Sequence, residues 1–327
     1  MNRSLVIGDP HFKANNKKDT KLFVSQTLTI AKQSNVSLII VLGDILHDHE
    51  TSKIRTYRRA TKFLHELTQI AHTVLLIGNH DRPNNSDFLS EKHFFTPLKK
   101  WNNLTIVDKV TVIGNMFFVP YVPPGRFLEA LQTCPEFVQD PLSFKVGFAH
   151  QEFSGCDMGG IISTKGDKWP LHYPQIYSGH IHKMGRPQQN IFYPGTPYQT
   201  ARDETGEKGL LLLNFDQGIT EQFIPLDMPK KITLQLSCQD LEAFTYEGND
   251  YLYLEVHGSV DEILLVKKSR KVIELKKQGI QFIFRPEKAA RVRKEYKKLS
   301  YAQALHSFVD EVPEVLSLFE KLFGKAS

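Results

Sequence analysis

Apolar runs alternate with amphipathic stretches along the first third of the chain. Three runs have the length and continuity of strands covered on both faces of a sheet, and they lie at residues 5–8, 36–42 and 73–77. Between them, residues 19–34 and 51–70 carry apolar side chains at helical spacing, and we expect Thr51 or Ser52 to cap the second helix. This alternation predicts a parallel core with right-handed crossovers.

The apolar runs lie closer together in the middle of the chain, where strands with short connections are predicted. The runs at residues 104–107, 110–113 and 116–119 have the spacing of a meander. Further strands are predicted at residues 144–149, 175–178, 191–193, 209–215 and 220–224. A mixed second sheet stacked on the first would explain this density. We therefore expect an α/β fold with four layers, arranged as helices, sheet, sheet and helices.

The Leu-Asp-Met-Pro sequence at residues 226–229 has the composition of a linker. The chain beyond it predicts a small α+β module, with strands at residues 231–237, 251–256 and 280–284 and one helix at residues 260–278. Two further helices are predicted between residues 300 and 324. We therefore expect a large first domain, a small α+β domain and a pair of C-terminal helices, at residues 1–228, 229–290 and 291–327.

Composition is that of an ordinary globular protein. The 327 residues are 41% hydrophobic and 24% charged, and no apolar run approaches the roughly 20 residues that a membrane span needs. The N-terminus lacks the layout of a signal peptide, and Cys134, Cys156 and Cys238 have no paired spacing. We therefore expect a cytoplasmic protein with no membrane contact, no disulfide framework and no thiolate zinc site.

Positive charge is concentrated near the C-terminus. The net charge is +5, but residues 265–300 hold 13 Lys or Arg and three Glu, a local balance of +10. Such a segment can bind phosphate backbones. A solvated helix face is the simpler explanation, and charge alone favours it.

Side chains of the kind that bind metals follow the predicted strands at five places. They belong to Asp9, His11, Asp44, Asn79, His150, His180 and His182. Each is ordinary alone, since a Gly-Asp pair is often a turn and a single histidine at a strand end is usually a satisfied polar group. Together they predict seven ligands shared by two divalent ions about 3.5–4 Å apart, with Asp44 as the bridge.

The chain resembles the calcineurin-like metallophosphoesterases in the order of these motifs, over roughly residues 5–200. The motifs are Asp9-x-His11, Gly43-Asp44, Gly78-Asn79-His80-Asp81, Ala149-His150 and Gly179-His180-x-His182. The resemblance implies a four-layer αββα fold, with Asp9, His11, Asp44 and His182 on one metal and Asp44, Asn79, His150 and His180 on the other. It also implies that His80 faces the substrate as acid or transition-state stabiliser, and that Asp81 orients it.

A narrower resemblance is to the SbcD branch, the nuclease subunits of double-strand-break repair and recombination complexes. It rests on His47, three residues after Asp44, and on the runs at residues 193–199 and 206–209. The short chain most resembles the phage recombination endonuclease subunit, which would place it in the cytoplasm of a bacterial host. The resemblance implies 3′-to-5′ exonuclease and single-strand endonuclease action on DNA, with residues 229–290 as a capping, DNA-binding domain. His47 could hold the scissile phosphate or pack under its loop, and both explanations stay open.

The chemical types of the predicted ligands indicate which metal the site prefers. Carboxylate, amide and imidazole ligands without thiolate favour manganese, whereas magnesium prefers an all-oxygen shell and ranks second. Zinc and iron stay open. Two such ions would offset the negative charge of a phosphodiester and activate water for attack.

The expected partner is an SbcC-like coiled-coil ATPase. The chain contains no P-loop sequence, so any ATP dependence would come from another subunit. Apolar residues recur at helical spacing between residues 312 and 323, which fits packing on the chain's own domain or docking on a partner. The resemblance favours docking, and it implies a homodimer within a heterotetramer.

Two other functions remain to be distinguished. A phosphatase or phosphodiesterase acting on small phosphorylated molecules would use the same metals. A non-catalytic scaffold is the less favoured alternative, because all seven ligand positions and His80 are filled.

Overall fold

The computed structural model describes residues 3–287 and residue 321. They divide into two compact units, one formed by Met1–Thr233 with Tyr246–Tyr253 and the other by Leu234–Thr245 with the chain from Leu254 onward. The predicted C-terminal helices of residues 291–327 lie outside the described residues, apart from Lys321. No helix in the described part is long and apolar enough to cross a membrane.

Fifteen strands and six α-helices make up the described chain. In order they are β1 (Arg3–Ile7), α1 (Lys17–Gln33), β2 (Leu38–Val41), α2 (Ile54–Thr68), β3 (His72–Leu76), β4 (Leu104–Val107), β5 (Thr111–Ile113), β6 (Met116–Val119), α3 (Phe127–Gln132), α4 (Pro135–Gln139), β7 (Val146–His150), β8 (Gln175–Gly179), β9 (Gly185–Gln188), β10 (Ile191–Tyr193), β11 (Gly209–Asn214), β12 (Thr220–Pro225), β13 (Lys231–Ser237), β14 (Tyr251–Gly258), α5 (Val260–Lys267), α6 (Arg270–Lys277) and β15 (Gln281–Pro286). Short 3₁₀ helices lie at Thr96–Lys100 and Pro141–Ser143.

Two six-stranded sheets form the first unit. The first sheet has the order β12-β11-β1-β2-β3-β4, with β1 to β4 parallel and β11 antiparallel to β1. The second has the order β5-β6-β7-β8-β10-β9, with a parallel centre from β6 to β10 and an antiparallel strand at each edge. The predicted parallel core with helical crossovers is therefore confirmed in the first sheet.

Three apolar cores separate four layers. Side chains alternate along each strand, so Leu5 and Ile7 of β1 join a core with α1 and α2, while Val6 points the opposite way. Val6 belongs to the core between the sheets, which includes Phe148 of β7. The third core lies on the outer face of the second sheet, where Phe117 and its neighbours pack on α3 and α4. The α/β sandwich of helices, sheet, sheet and helices is confirmed.

Two predicted features of the first unit are wrong. The expected meander does not form, because β4 continues the first sheet parallel to β3 while β5 and β6 form a hairpin in the second sheet. The expected cap of α2 at Thr51 or Ser52 is also absent, since the helix begins later, at Ile54, and Lys53 holds the N-cap position without a side-chain hydrogen bond.

The second unit contains most of a three-stranded sheet in the order β13-β14-β15, together with α5 and α6. The single helix expected at residues 260–278 is broken after Lys268. The cause is Ser269, whose side chain accepts a hydrogen bond from the backbone of Val272 and so caps a new helix. A capping box formed by Ser259 and Glu262 begins α5 in the same way.

Candidate metal centre

The residues of metal-ligand type meet where the two sheets face each other, at the carboxyl ends of five strands. In the first sheet, Asp9, Asp44 and Asn79 follow the neighbouring parallel strands β1, β2 and β3. In the second sheet, His150 ends β7 and His180 follows β8, again on neighbouring parallel strands. Parallel neighbours end at the same edge of a sheet, so residues far apart in sequence are brought together there.

Three of these side chains form the part of the centre that we call the His182 half, namely Asp9, His11 and His182. Their ligand atoms all lie within 4.8 Å of one another, and Nε2 of His11 is 2.9 Å from Nε2 of His182. Two nitrogens that bind one ion at about 2.1 Å and at a right angle lie about 3 Å apart. The spacing of the two rings therefore fits a shared ion.

The remaining predicted ligands form the part that we call the His150 half, namely Asp44, Asn79, His150 and His180. The Asn79 side-chain oxygen lies 3.1 Å from Nε2 of His150 and 3.0 Å from Nδ1 of His180. These separations again fit ligands of one ion.

Asp44 lies between the halves. Its Oδ2 is 3.8 Å from Nε2 of His11 and 3.4 Å from Nε2 of His150. Its Oδ1 accepts a hydrogen bond of 2.9 Å from the backbone N–H of His80. A carboxylate held in this position can serve both halves, which is the geometry expected of a bridging ligand.

Orphaned polar atoms test whether the centre fits cations. Nδ1 of His150 donates to the Leu42 carbonyl at 2.7 Å, so Nε2 is the nitrogen that faces the oxygens of Asn79 and Asp44, where a metal ion would replace its proton. Oδ1 of Asp9 is buried without a hydrogen-bond partner. Electron-rich atoms turned toward one another in this way fit a divalent ion between them.

The electrostatics of the centre point the same way. Burial raises the pKa of Asp9 to about 7, and although burial opposes it, the Asp44 and Asp9 carboxylates raise the pKa of His150 to about 9. Burial lowers the pKa of His11 well below its usual value and that of His180 to about 3. The centre thus attracts positive charge while keeping two imidazoles in the neutral form that binds metals.

The backbone around the ligands is strained and tightly fitted. His11, Asp44 and His180 have φ angles of 43°, 48° and 82°, a left-handed region that non-glycine residues rarely adopt. A Cβ atom on Gly78 would overlap Oδ1 of Asp44, and one on Gly179 would overlap Oδ1 of Asp9. The carboxylates can approach the strand ends this closely only because glycine occupies both positions.

His80 lies beside the His182 half, with its ring centroid 5.0 Å from that of His11. Its Nδ1 donates to the carbonyl of His47 at 2.5 Å, which leaves Nε2 as an acceptor. Burial lowers the pKa of His80, so the ring is neutral near pH 7. Proton donation by His80 would therefore require it to take up a proton first.

The hydrogen bonds of Asp81 go to backbone groups and not to the His80 ring, contrary to the expectation that it orients His80. Its two carboxylate oxygens each accept a backbone hydrogen bond of 3.1 Å, one from Leu46 and one from Gly78. Asp81 therefore ties together the loops that follow β2 and β3. The His80 ring is oriented by the His47 carbonyl instead.

His47 is half-buried, with Nδ1 3.4 Å from Nδ1 of His11. Burial, together with the nearby charge of Lys13, lowers the pKa of His47 to about 4. The ring also stacks at 5.5 Å on that of His80. These contacts place His47 beside both His11 and His80.

The run at residues 193–199 packs against the loop that carries Asp9 and His11. The Tyr198 hydroxyl donates to the carbonyl of Pro10, and Asn16 donates to the same hydroxyl at 3.1 Å. The carbonyl of Gly195 fills the space beside Gly8. The run therefore holds the loop that carries Asp9 and His11, which is a structural role in the centre.

Glu204 also belongs to the centre, although it is not among the residues that the sequence predicts. Nδ1 of His182 donates to its Oε1 at 2.9 Å. Burial would raise the pKa of Glu204, but His182 and Lys208 lower it, so the carboxylate is ionised. The sequence pattern that could have indicated Glu204 is its spacing of four residues from Lys208, in the loop before β11. The two side chains form an ion pair of 3.0 Å.

A groove opens beside the histidines of the centre. It is a cavity of about 600 Å³ next to His180 and His182, between the loops that carry Met158 and Asp203. Substrate can therefore approach the centre from this side.

The Calcineurin-like phosphoesterase family matches residues 3–184. "Putative phosphoesterase 244L" of Invertebrate iridescent virus 6 is 41% identical over 82% of this chain and 98% of its own length. "Putative phosphoesterase 078R" of Invertebrate iridescent virus 3 is 38% identical over 88% of this chain and 86% of its own length.

Solved structures are more distant. A dimetal phosphatase from Danio rerio is 12% identical, with a TM-score of 0.41 over 69% of this chain and 99% of its own. Pseudomonas putida nuclease MPE is 15% identical, with a TM-score of 0.31 over 67% and 87%. Neither similarity supports an argument about substrate, whereas the family match spans the strands that carry the seven predicted ligands. The chain belongs to the calcineurin-like phosphoesterase family.

Proposed function

We propose that this phosphoesterase is a manganese-dependent DNA nuclease. The observation that carries the proposal is a basic surface at the edge of the first sheet where the metal centre lies. Residues 13–24 and 51–62 contain nine Lys or Arg and a single acidic residue, Asp19, which is buried. We call this the α1–α2 basic surface.

The topology places this surface beside the centre. Each helix of the first sheet begins at the carboxyl edge of one strand and runs back to the start of the next, so the N-termini of α1 and α2 lie at the edge that carries the ligands. Lys17, Lys18, Arg55 and Arg58 are exposed near these N-termini. The two segments of this surface are joined through Arg59 of α2, which donates to the carbonyl of Lys13, in the loop before α1, at 2.7 Å.

The position of the positive charges is unfavourable for α2 itself. A helix N-terminus carries partial positive charge and favours acidic side chains, yet α2 has no acidic residue in its first turn and a lysine at its N-cap. A local rule broken in this way is typical of functional surfaces. A small phosphorylated substrate would need the metal centre alone, whereas a nucleic acid backbone needs cations along its path.

The mechanism rests on how the chain places its donors. When bound, two divalent cations would neutralise phosphate charge and lower the pKa of water. Asp44 would keep the two halves in register. His80, fixed by the His47 carbonyl, would donate from Nε2 to the scissile phosphate or its leaving oxygen once that nitrogen has taken up a proton. The strained ligand loops keep this arrangement preorganised before substrate arrives.

The narrower parts of the proposal follow the SbcD resemblance. They are 3′-to-5′ exonuclease and single-strand endonuclease action, a dimer, and an ATPase partner with coiled coils that docks on the C-terminal residues. Removing residues 300–327 is expected to leave manganese-dependent cleavage of single strands and to abolish ATP-stimulated cleavage of duplexes. ATP stimulation that survives the deletion would contradict the docking role.

The substrate class is tested by a pair of double variants. Lys18→Gln with Arg55→Gln removes two charges beside the centre, and Lys32→Gln with Lys100→Gln removes two exposed charges at the opposite edge of the sheet. Each lost contact with single-stranded DNA is expected to reduce the salt slope of binding by about 0.7, so the first pair should lose up to about 1.4 and the control pair nothing.

Cleavage assays complete the test. The wild-type protein with manganese should degrade a single-stranded oligonucleotide as well as bis-p-nitrophenyl phosphate. Hydrolysis of the small ester without any cleavage of oligonucleotides would favour a phosphatase or phosphodiesterase of small molecules. Equal salt slopes for the two double variants would remove the basic surface from the argument.

A further inference from the structure

We propose that Glu204 is a positioning residue that fixes the tautomer and orientation of His182 for metal binding. The inference rests on the proposed metal-dependent function, and it adds a residue outside the seven predicted ligands. It begins with the two nitrogens of His182, which face different groups. Nε2 faces His11 at 2.9 Å, whereas Nδ1 faces the Glu204 carboxylate at 2.9 Å.

The contact with Glu204 determines which nitrogen is protonated. The Glu204 carboxylate accepts from every other group around it, so in the neutral ring that binds a metal the proton of His182 lies on Nδ1. The lone pair of Nε2 is then directed into the His182 half. A carboxylate behind a histidine ligand also makes the ring a stronger donor to a metal.

The Glu204 carboxylate is itself held by several donors. Its Oε2 accepts from Lys208 Nζ at 3.0 Å, from the Thr200 backbone at 3.0 Å and from the Thr196 hydroxyl at 3.2 Å. The Thr200 hydroxyl donates to Oε1. Glu204 therefore cannot turn away from His182 without losing four other contacts.

Lys208 also holds the backbone of His182. Its ammonium group donates to the His182 carbonyl at 2.8 Å and to the Thr196 hydroxyl at 2.6 Å. The Thr196 backbone N–H donates to the same carbonyl at 3.1 Å. The loop between β10 and β11 thus fixes His182 at both its ring and its backbone, although it supplies no predicted ligand.

The metal-free full-length protein tests this role by titration with Mn²⁺ in a calorimeter, with Glu204→Gln as the variant. Glu207→Gln is the matched control, because it is the same substitution at an exposed position in the same loop. Loss of such a carboxylate typically weakens metal affinity about 10–100-fold, and we expect this loss for one of the two ions only. Glu204→Gln also removes the charge partner of the partly buried Lys208, so the metal-free variant should unfold at a lower midpoint than the control, and both are titrated below that midpoint.

The possible results separate this inference from the proposed function. Equal Mn²⁺ affinity in Glu204→Gln and Glu207→Gln would overturn the positioning role, whatever substrate the enzyme cleaves. Wild-type protein that binds no Mn²⁺ would overturn the metal centre and the positioning role together. Cleavage of small esters alone would overturn the nuclease proposal and leave the positioning role standing.

A milder variant covers the case in which Glu204→Gln fails to fold. Thr200→Val removes one donor to Oε1 and leaves the carboxylate in place. We expect a several-fold loss of affinity for the same single ion, relative to Glu207→Gln. Unchanged affinity in Thr200→Val would then count against the role of Glu204.

Discussion

The two halves of the metal centre are held by different parts of the chain. In the His150 half, His150 lies fully buried at the end of β7 and is fixed by the Leu42 carbonyl, a backbone atom of the other sheet. In the His182 half, the His182 ring is fixed by Glu204, a side chain in a loop. A backbone carbonyl at a strand end survives any substitution, whereas a carboxylate does not. The His182 half is therefore the one that sequence change can tune.

Removing the bridge should have the largest effect, because it acts on both halves. Asp44→Ala is expected to abolish hydrolysis and to lose both ions, since Asp44 reaches His11 on one side and His150 on the other. His80→Ala is the comparison, because it should lower the hydrolysis rate about 10²–10⁴-fold while the protein keeps its metal. Metal analysis of the purified variants gives the result, and normal metal content in Asp44→Ala would exclude the bridging role.

The two halves should also differ in what a lost histidine does to folding. His150→Ala leaves a buried cavity and an unpaired Leu42 carbonyl, which should lower the free energy of unfolding by about 2–4 kcal/mol. The His182 side chain is 35% exposed, so His182→Ala should cost less than about 1 kcal/mol. Urea unfolding of the metal-free variants compares them, and equal losses would contradict the distinction between the halves.

A single methyl group near Asp44 should have a smaller but measurable effect. Gly78→Ala would press a Cβ against Oδ1 of Asp44 and Cε1 of His150, at a cost of about 1–3 kcal/mol in unfolding free energy. Gly185→Ala is the matched control, because no atom lies within 4 Å of its added Cβ. Urea unfolding should separate them, and a neutral Gly78→Ala would mean that the loops have room to shift.

Much of the fold could be predicted from the sequence, because short apolar runs and amphipathic helices alternate in a way that few folds allow. What failed was the assignment of strands to sheets. β4 and β5 are separated by three residues, and nothing in their side chains tells which sheet each joins. The break at Ser269 depends on one hydroxyl capping a helix that apolar spacing alone would continue.

The predicted ligands meet because each follows a strand, and parallel strands bring their ends together. Glu204 could not be found in this way. It lies in a loop without periodic pattern, and its contact with His182 spans 22 residues of sequence. The expected role of Asp81 in orienting His80 is wrong for a related reason. The two residues are neighbours in sequence, but the Asp81 oxygens face the backbone of two loops.

The ligand-bearing edge is where the two sheets meet through charge instead of apolar contact. Asp9, Asp44 and Asn79 come from one sheet, and the histidines at positions 150, 180 and 182 come from the other, so an ion bound among them cross-links the layers. Metal binding is then coupled to folding, and each ion at 100 times its dissociation constant would add about 2.7 kcal/mol to the stability of the sandwich. Chelation should accordingly lower the free energy of unfolding of the whole sandwich. The supply of free metal in a cell would then set the lifetime of the folded protein as well as its rate of hydrolysis.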